Sequence, residues 1–583
     1  MSGFYWTNMK LCPTIIPDSE MVFRSVEFAD YKMFQYTTNK FYDDKCFDLK
    51  DGYFSCMEGV VLNKVELYDK YQVNSISNLT CLMYQEKEDF FNDFRGSFSG
   101  MYCDLPNSKW SFFTNHYGDN AVFYYQHEDK FIVSSSLKWI AEGLKQNKIL
   151  YAVDEKAVYY LLTYGFMADE STYIQGVSRL LPGHYIEISN GNIQIKEYYA
   201  LKRDKMNLVN KSENELIEIL DDLFTRAVKR EYEKDREYGY RHLIELSGGL
   251  DSRMNYWIAH ELGYKDSMAI TFCQSNYTDE LVAKQIASYW KDEILVWPLD
   301  SAKHLYDVDR CTSLNFGISL YSGVGGELRI FDNINMKKYG VLHTGQLGDA
   351  IVGTYIKDEQ ELYSFGTIGN YSGKLLGSFK DNSYDRFSNR EEYFLNVRGF
   401  LGCLSSHLYA RYYTEECSPF LDADVMDFCL SIPLSKRIDH NIYKKWILVK
   451  HPEAARFVWE KTGTLISKSE SYLKLRQLKQ VAWDVLTHPR LLLRKIGLPV
   501  KAPTLSDYRG MNPMDRWLRD NDTLQKFVKE YYQMHIENAR KVLSTKMIED
   551  IDDLYERGSM GEKTQVFTVL SAMELLFGVE LGK

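Results

Sequence analysis

The sequence lacks long apolar runs, paired cysteines and an excess of positive charge, and each absence excludes a class of protein. No apolar stretch approaches the roughly 20 residues of a membrane-spanning helix, and residues 1–6 lack the pattern of a signal peptide. The ten cysteines form no C-x-x-C pair and no paired His/Cys spacing, which argues against a disulfide framework and structural zinc. The net charge of −11 argues against a nucleic-acid-binding surface. We therefore expect a cytoplasmic protein with no membrane or nucleic-acid partner.

The length and composition indicate a folded protein of more than one domain. At 583 residues the chain exceeds the size of one compact core, so two domains of unequal size are expected. Its 45% apolar and 26% charged residues are ordinary for a globular protein and do not indicate disorder.

The stretch around which the chain is organised is residues 242–253, which read H-L-I-E-L-S-G-G-L-D-S-R. A strand-like run ends at Leu246, a turn with two glycines follows, and a helical pattern opens at about Ser252. Gly248 and Gly249 let backbone N–H groups approach a ligand closely, and the helix start adds unpaired donors and a positive dipole end. This strand–loop–helix unit is typical of a phosphate site.

Three side chains of the loop suit a pyrophosphate that is chelated to a metal ion. Ser247 and Ser252 offer hydroxyl groups to phosphate oxygens, whereas Asp251 repels phosphate and is a ligand for Mg²⁺. The alternative is a turn with a Ser/Asp helix cap. Six specific residues directly after a strand favour the phosphate loop.

The S-G-G-L-D-S sequence at 247–252 resembles the pyrophosphate loop of the N-type ATP pyrophosphatases, and with its neighbours it resembles the asparagine synthetase superfamily. That superfamily includes β-lactam synthetases and lasso-peptide cyclases. The resemblance implies a glutaminase-type domain followed by an adenylating synthetase domain. It also implies that Ser247, Gly248, Gly249, Leu250 and Ser252 contact ATP.

Residues 1–200 are predicted to form a β-rich domain, because short alternating apolar runs at 100–104, 110–113 and 131–134 are separated by turn residues. Segments 94–100, 131–140 and 181–185 are similar to the family's amidotransferase domain. The resemblance implies the four-layer αββα fold of N-terminal nucleophile hydrolases.

The catalytic residues of that domain are not retained. Glutamine-hydrolysing members have a cysteine nucleophile at position 2, whereas this chain has Ser2. Segment 58–63 resembles the glutamine-holding segment but keeps only Gly59 and Asn63, and Val60 replaces an acid. We find no counterpart of the arginine that grips the substrate carboxylate. A Ser2 nucleophile remains an alternative, but we expect a degenerate class II glutamine-amidotransferase-like domain that does not hydrolyse glutamine.

Residues 201–465 alternate between strand and helix patterns. A helix is predicted at 214–233, and buried strands are predicted up to Leu246, at 267–272 and at 294–299. This alternation predicts a doubly wound parallel sheet with ATP at the carboxyl edge of the strands. Asp279 and Glu280 resemble an acidic pair of the family, or alternatively form an acidic first turn of a helix.

A second motif, at 341–353, resembles the family's strand-plus-loop motif for Mg²⁺ and pyrophosphate, and Asp349 falls on its aspartate. With Asp251 it would place two carboxylates on one metal–phosphate cluster. Gln346 and Ala350 stand where asparagine-forming members have acids, which weakens the case for asparagine as the product. The resemblance extends the expected nucleotide contacts to Leu246, Thr271 and Gly345.

The region beyond the second motif carries a third resemblance. Residues 417–422 are similar to the family's R-x-P-F-L-D motif, whose Pro419–Phe420 step is also explained as a structural turn. Lys461 matches by position the lysine that neutralises charge on the adenylate and pyrophosphate, although a loop lysine is usually only solvated. Residues 466–583 are predicted to be a helical extension of the synthetase domain. Within them the basic segment 490–501 has no assigned role, and G-S-M-G-E-K-T at 558–564 is predicted to be a helix–helix turn, not a Walker loop.

The resemblance implies a ligase that uses Mg²⁺ and ATP to adenylate a small-molecule or peptide carboxylate, releases pyrophosphate, and passes the acyl group to ammonia or an amine with loss of AMP. The alternatives are a true asparagine synthase, a tailoring enzyme like the β-lactam synthetases and lasso cyclases, and a non-catalytic scaffold. An adenylate that ends in thiolation or nucleotide transfer is a further alternative. The sequence leaves a homodimer open and does not name the acid or the amine.

Overall fold

The computed structural model describes residues 2–578 apart from 17, 29–30, 190, 324, 367, 470–471, 473–475, 477 and 480–509. The basic segment 490–501 lies outside the described residues. In the described part of the chain, no helix combines the length and the hydrophobicity that crossing a membrane would require.

The first 200 residues are rich in β-structure, as the alternating apolar runs predict, and they form two antiparallel sheets. The strands are β1 (Gly3–Thr7), β2 (Met21–Phe28), β3 (Tyr31–Thr38), β4 (Phe47–Lys50), β5 (Tyr53–Gly59), β6 (Phe98–Asp104), β7 (Lys109–Thr114), β8 (Phe123–His127), β9 (Lys130–Ser134), β10 (Val177–Arg179), β11 (His184–Ser189) and β12 (Asn192–Glu197). One sheet has the order β10-β8-β9-β1-β3-β2, and the other has the order β12-β11-β7-β6-β5-β4.

The two sheets pack face to face, and helices cover their outer faces. Trp6 of the first sheet and Met101 and Phe112 of the second belong to one buried core. The helices of this region are α1 (Lys64–Tyr71), α2 (Ile76–Glu86), α3 (Leu137–Gln146) and α4 (Glu155–Tyr164). Met83 of α2 packs on the second sheet and Ile140 of α3 on the first. The predicted β-rich domain is confirmed, and its sheets are antiparallel. Membership of the N-terminal nucleophile hydrolase class stays a prediction.

The following region contains a parallel sheet with helices on both faces. Its strands are β13 (Arg241–Glu245), β14 (Ser267–Cys273), β15 (Glu293–Pro298), β16 (Tyr339–His343) and β17 (Glu416–Cys417), in the order β15-β14-β13-β16-β17. Alternate residues of β13 point to opposite faces, so Leu243 and Ile244 belong to two different cores. The predicted parallel sheet is confirmed, and strand β13 ends one residue earlier than its pattern suggests.

The helices of this region lie between and beyond these strands. They are α5 (Glu213–Tyr238), α6 (Asp251–Glu261), α7 (Thr278–Trp290), α8 (Val308–Asn315), α9 (Gly325–Phe331), α10 (Gly348–Ile351), α11 (Glu359–Leu362), α12 (Arg390–Tyr393), α13 (Ala423–Ser431), α14 (Leu434–Arg437) and α15 (Asn441–Lys450). A π-helical stretch, Phe394–Cys403, follows α12 and contributes to the cavity described below. Such stretches are frequent at functional sites.

The described part of the C-terminal region is helical, as predicted. Its helices are α16 (Met514–Asp520), α17 (Asp522–Ala539), α18 (Thr545–Arg557) and α19 (Met560–Phe577). Helix α19 contacts both α4 and α8, and Gln565 donates a 2.9 Å hydrogen bond to the Leu161 carbonyl. Ser559 and Glu562 form a capping box at the start of α19, so the predicted helix–helix turn is confirmed. The extension thus bridges the amidotransferase-like and synthetase-like regions.

Buried ion pairs also join the two regions. Asp44 precedes β4, and its carboxylate lies 2.5 Å from the ammonium group of Lys64 and 3.0 Å from that of Lys234 on α5. The hydroxyl of Tyr238, also on α5, donates a 2.5 Å hydrogen bond to the same carboxylate. A second buried pair, Lys45–Glu415, spans 3.1 Å.

Candidate functional site

The loop between β13 and α6 holds its two hydroxyl groups together at the start of the helix. The Ser247 N–H donates to Oγ of Ser252 over 3.0 Å, and the two hydroxyl oxygens are also 3.0 Å apart. The Gly249 N–H donates to Oγ of Ser247 over 3.1 Å. These bonds fix the two serines beside the N-terminal donors of α6, which is the arrangement that binds phosphate oxygens.

Asp279 contacts this loop from the first turn of α7. The Gly248 N–H donates a 2.7 Å hydrogen bond to Oδ1 of Asp279. Burial raises the pKa of Asp279 to about 6, and the neighbouring Glu460 adds to the rise. A Cβ atom at Gly248 would lie 2.9 Å from Cβ of Glu460, so the loop has no room for a side chain there. Asp279 therefore positions the loop, in addition to lying in an acidic first turn.

Asp251 and Asp349 lie side by side although 98 residues separate them. The Asp349 N–H donates a 2.9 Å hydrogen bond to Oδ2 of Asp251, and the Tyr443 hydroxyl donates a 2.8 Å bond to Oδ1. Gly345 makes this approach possible, because a Cβ atom there would lie 2.2 Å from the backbone nitrogen of Ser252.

The electrostatics of this pair favour a cation. Burial and the adjacent Asp349 carboxylate raise the pKa of Asp251 well above its ordinary value, although Tyr443 and Lys461 oppose the rise. Two neighbouring carboxylates disfavour each other's ionisation, and a divalent cation between them removes that penalty; oxygen donors are also the ligands that Mg²⁺ prefers. The residues present thus fit the Mg²⁺ ion that the sequence suggests.

Lys461 lies at the outer side of Asp349. Its ammonium nitrogen is 3.8 Å from Oδ2 of Asp349 and 3.0 Å from Nε2 of His440. The Tyr355 hydroxyl donates a hydrogen bond to the same Asp349 carboxylate, and the Lys461 ammonium group lies 5.1 Å from the centroid of the Tyr355 ring. Lys461 therefore adds positive charge next to the two acids.

A cavity of about 570 Å³ adjoins the loop and the two acids. Of the residues predicted from the sequence, those that line it are Ser247, Gly249, Asp251, Ser252, Gly345 and Asp349. Those outside its lining are Leu246, Gly248, Leu250, Thr271 and Lys461. The side chains of Leu246, Leu250 and Thr271 are buried in the protein core.

Several residues of the cavity were not found by the sequence analysis. These are Glu245, Leu347, Tyr355, Phe394, Arg398, Gly399 and Cys403. Glu245 carried a usable signal, because a charged residue at the carboxyl end of a buried parallel strand points to the ligand edge of the sheet. Tyr355 and Arg398 lie in segments without a recognisable motif, so only the fold brings them to the cavity.

A second polar cluster lies between helix α5 and strands β13 and β16, and its residues do not line the cavity. Among the described residues, one group of three, Asp235, His242 and His343, has potential metal-ligand atoms within 4.8 Å of one another. Oδ2 of Asp235 lies 2.8 Å from Nδ1 of His242 and 2.7 Å from Nε2 of His343. Nδ1 of His343 lies 3.2 Å from Glu231. These spacings are those of hydrogen bonds, so the cluster is a buried acid–imidazole network.

The residues at the positions of a glutaminase site make structural contacts within the N-terminal region. Ser2 is buried, and its Oγ accepts a 3.3 Å hydrogen bond from the Thr38 N–H. Asn63 accepts a 2.8 Å bond from the Arg95 N–H and donates a 2.9 Å bond to the Asp93 carbonyl. Val60 is fully buried and offers no polar group.

Comparison with protein families identifies two domains in this order. Residues 52–199 match the glutamine amidotransferase domain, and residues 219–398 match asparagine synthase. The second match includes the loop at 247–252 and Asp349 but ends before Lys461.

Two curated fungal proteins are similar to parts of the chain. "Amidase chry2" of Gibberella zeae is 26% identical over 195 residues, which cover 32% of this chain and 27% of that protein. "Amidase chyE" of Penicillium rubens is 28% identical over 166 residues, which cover 28% of this chain and 23% of that protein. The matched segments thus span about a quarter of the length of each relative.

Two solved structures overlap with the chain only weakly. Glutamine phosphoribosylpyrophosphate amidotransferase from B. subtilis, complexed with ADP and GMP, shares 8% identity at a TM-score of 0.23 and covers 46% of this chain and 76% of its own. An allosteric regulatory enzyme of purine biosynthesis shares 8% identity at a TM-score of 0.22, and the match covers 51% of this chain and 74% of that enzyme's chain. TM-scores this low carry no argument about the fold, and the assignment depends on the two domain matches. By those matches the chain has the domain pair of the asparagine synthetase superfamily, a glutamine-amidotransferase-like domain followed by an asparagine synthase domain.

Proposed function

We propose that this protein is an ATP-dependent ligase that adenylates a carboxylate and transfers the acyl group to ammonia or an amine. One observation carries the proposal: the loop at 247–252 and the acids Asp251 and Asp349 meet at a single cavity. That arrangement combines phosphate donors with carboxylates for a metal ion, as attack on the α-phosphorus of ATP requires. The asparagine synthase match over residues 219–398 supports the same chemistry.

The residues of the cavity have distinct tasks in this proposal. Ser247 and Ser252 donate hydroxyl groups to phosphate oxygens, and the start of α6 adds its N–H groups and dipole. Asp251 and Asp349 would hold Mg²⁺, which when bound supplies positive charge to the departing pyrophosphate. Lys461 neutralises charge at the outer side of Asp349, 3.8 Å away. AMP and pyrophosphate are the expected by-products.

We further propose that the N-terminal domain does not supply ammonia from glutamine. Ser2 is buried and hydrogen-bonded to backbone, and Val60 stands where an acid would hold glutamine. Nitrogen would then come from free ammonia or from an amine substrate. We propose further that the domain has the N-terminal nucleophile hydrolase fold and serves as a scaffold. Residence in the cytoplasm and a homodimeric state stay predictions.

The product class remains part of the proposal. Gln346 and Ala350 replace two acids of asparagine-forming members, which favours a tailoring ligase over a true asparagine synthase. The name amidase of the two fungal relatives supports chemistry at an amide bond, over segments that cover about a quarter of each relative.

The test is ATP–pyrophosphate exchange by the purified protein with Mg²⁺ and a panel of carboxylates that includes aspartate. Amide formation is then measured with ammonium, with glutamine and with simple amines. Acid-dependent exchange supports the ligase, and exchange with aspartate followed by ammonium-dependent amide would identify an asparagine synthase. Pyrophosphate release without amide would favour thiolation or nucleotide transfer. A protein that neither binds ATP nor gives exchange with any acid would be a scaffold.

A further inference from the structure

The cavity has a further acidic residue, Glu245, in addition to Asp251 and Asp349. Glu245 is the last residue of β13 and lines the cavity beside Ser247. Burial raises the pKa of Glu245 to about 7; His407 opposes the rise, and Glu416 adds to it. A carboxylate with a pKa near neutrality is well suited to accept a proton from a substrate at physiological pH.

The imidazole of His407 acts on this carboxylate electrostatically and lowers its pKa. The Gln346 amide nitrogen, at the cavity wall, is 2.9 Å from Nε2 of His407. On the other side of the ring, Nδ1 lies 2.9 Å from Glu416 and 4.0 Å from Glu327. Burial would lower the pKa of His407, but the surrounding carboxylates, Glu416 first, raise it to about 10. These carboxylates therefore favour the protonated form of His407.

Glu327 is a further buried acid of this group. Its side chain is fully buried, and one carboxylate oxygen accepts a hydrogen bond from the Tyr409 hydroxyl. Within the described part of the chain, its other oxygen has no hydrogen-bond partner. Burial and the nearby Glu245 raise the pKa of Glu327 well above its ordinary value. Glu245, Glu327 and Glu416 thus surround the imidazole of His407, and the buried guanidinium of Arg411 lies in the small cavity that His407 and Glu416 also line. Of these acids Glu245 is the one that lines the larger cavity, so a cationic ligand there would favour its ionised form.

We propose that Glu245, together with His407, Glu416 and Glu327, forms the subsite for an amine substrate, which binds there as an ammonium group and gives one proton to the Glu245 carboxylate. This inference rests on the proposed ligase function and deepens it, because it assigns the residues that bind and deprotonate the second substrate. His407, Glu416 and Glu327 are positioning residues, since they act through the charge on Glu245.

The proposed amide-forming step starts from the bound ammonium group and the acyl-adenylate. The ammonium group loses one proton to Glu245, and the nitrogen lone pair then forms a bond with the acyl carbon of the adenylate. The bond between that carbon and the AMP oxygen breaks, and AMP leaves with the electron pair. The nitrogen releases its second proton to water, so each amide formed yields AMP and two protons.

The Glu245→Gln variant tests this subsite with two half-reactions measured side by side. The carboxylate that gives the fastest ATP–pyrophosphate exchange is used, with ammonium and methylamine as probe amines. We expect the ratio of amide formation to exchange to fall by about 100-fold or more, the usual effect of losing a general base. Glu245→Asp should restore part of this ratio. Hydroxylamine, which is largely uncharged at neutral pH, should still form a hydroxamate with Glu245→Gln.

Glu293→Gln is the matched control, because Glu293 is an exposed glutamate at the start of β15 that pairs with Arg241. An unchanged ratio in Glu245→Gln, with exchange intact, would overturn the amine subsite and leave the ligase proposal standing. Recovery of amide formation with excess Mg²⁺ would assign the acids to a metal ion and also overturn it. Loss of hydroxamate together with amide would indicate a structural role. Absence of exchange in the unaltered protein would instead overturn the proposed function itself.

Discussion

The backbone N–H of Asp349 donates a 2.9 Å hydrogen bond to the carboxylate of Asp251. This bond joins helix α10, which follows β16, to the first residue of α6, and it places two acids at one point of the cavity. Because the bond uses the backbone of Asp349, it does not engage the carboxylate of Asp349, which accepts a hydrogen bond from Tyr355 at Oδ2. The relationship explains why both acids should act together, and it leads to the first prediction.

Replacing either acid by its amide should remove most of the adenylation activity. We expect Asp251→Asn and Asp349→Asn each to lower the rate of ATP–pyrophosphate exchange by about 100- to 1000-fold, because each removes charge stabilisation at the departing pyrophosphate. Chelation of Mg²⁺ should abolish exchange in the unaltered protein. Asp222→Asn, at an exposed aspartate of α5, is the control. Full exchange in both active-site variants would contradict the assignment.

Lys461 should contribute less than the two acids, because its ammonium group is partly exposed and 3.8 Å from Asp349. We expect Lys461→Gln to lower the exchange rate by about 10-fold, since solvent screens part of its charge. Lys461→Arg should retain more activity than Lys461→Gln. The measurement is the initial exchange rate at saturating ATP, with Lys445→Gln as the control for a lysine paired with Glu213. An exchange rate unchanged in Lys461→Gln would show that the lysine is only solvated.

The buried pairs of Asp44 should stabilise the contact between the two domains. Asp44→Asn should lower the free energy of unfolding by about 3–5 kcal/mol, because it leaves the ammonium groups of Lys64 and Lys234 close together without that counter-charge. Urea denaturation of the variant and of Asp43→Asn, an exposed neighbour, gives the difference. Equal midpoints for both variants would be inconsistent with this interaction.

The Asp44 pair should also be lost in acid. Burial by itself would raise the pKa of Asp44, but the ammonium groups of Lys234 and Lys64 hold it below its ordinary value. A lowered folded-state pKa means that the stabilisation is present above the unfolded-state pKa and disappears as the pH falls through the folded-state pKa. The stability difference between the unaltered protein and Asp44→Asn should therefore shrink only in strong acid.

His343 should make the protein less stable in mild alkali. Burial opposes protonation, but Asp235 and Glu231 raise the pKa of His343 from 6.5 to about 9. A group whose pKa is raised on folding contributes its full stabilisation at pH values below its unfolded-state pKa. This contribution is lost as the pH rises through the folded-state pKa. We expect the free energy of unfolding to fall by on the order of 2 kcal/mol between about pH 6.5 and 9.

The measurement is the pH dependence of unfolding for the unaltered protein and for His343→Gln. The variant should lack this contribution, so the stability difference between the two proteins should narrow as the pH rises. His127→Gln changes an exposed histidine at the end of β8 and should follow the unaltered protein. A stability difference that stays constant from pH 6 to pH 9.5 would contradict a protonated His343.

The N-terminal domain should release no glutamate from glutamine. Ser2 is buried and its oxygen already accepts a hydrogen bond from Thr38, so it is poorly placed to attack an amide. The measurement is glutamate release in the presence and absence of ATP and the preferred acid. Glutamine hydrolysis that disappears in Ser2→Ala would show that serine serves as a nucleophile here.

Local sequence patterns were sufficient to predict the strands, the helices and the phosphate loop. The two-residue alternation in the first 200 residues and the buried runs that flank 247–252 depend on neighbours a few positions apart, so they can be read directly along the chain. The loop itself is similarly local, because its glycines, serines and helix start act within one turn. For the same reason the β-rich region and the parallel sheet were predicted correctly, with β13 ending one residue early.

Apart from Asp349 and Gly345, which the family resemblance placed at the nucleotide, only the tertiary structure decided which distant residues share the cavity. The order of strands places β13 between β14 and β16, and that order brings Asp279, Asp349 and Tyr443 to one loop. No periodicity along the chain specifies such contacts, because strand order depends on how the helices cover both faces of the sheet. The same is true of Glu245 and His407: one ends a central strand, and the other follows a π-helical stretch more than a hundred residues away. The sequence by itself determined the ATP loop, and the packing of the sheet determined what surrounds it.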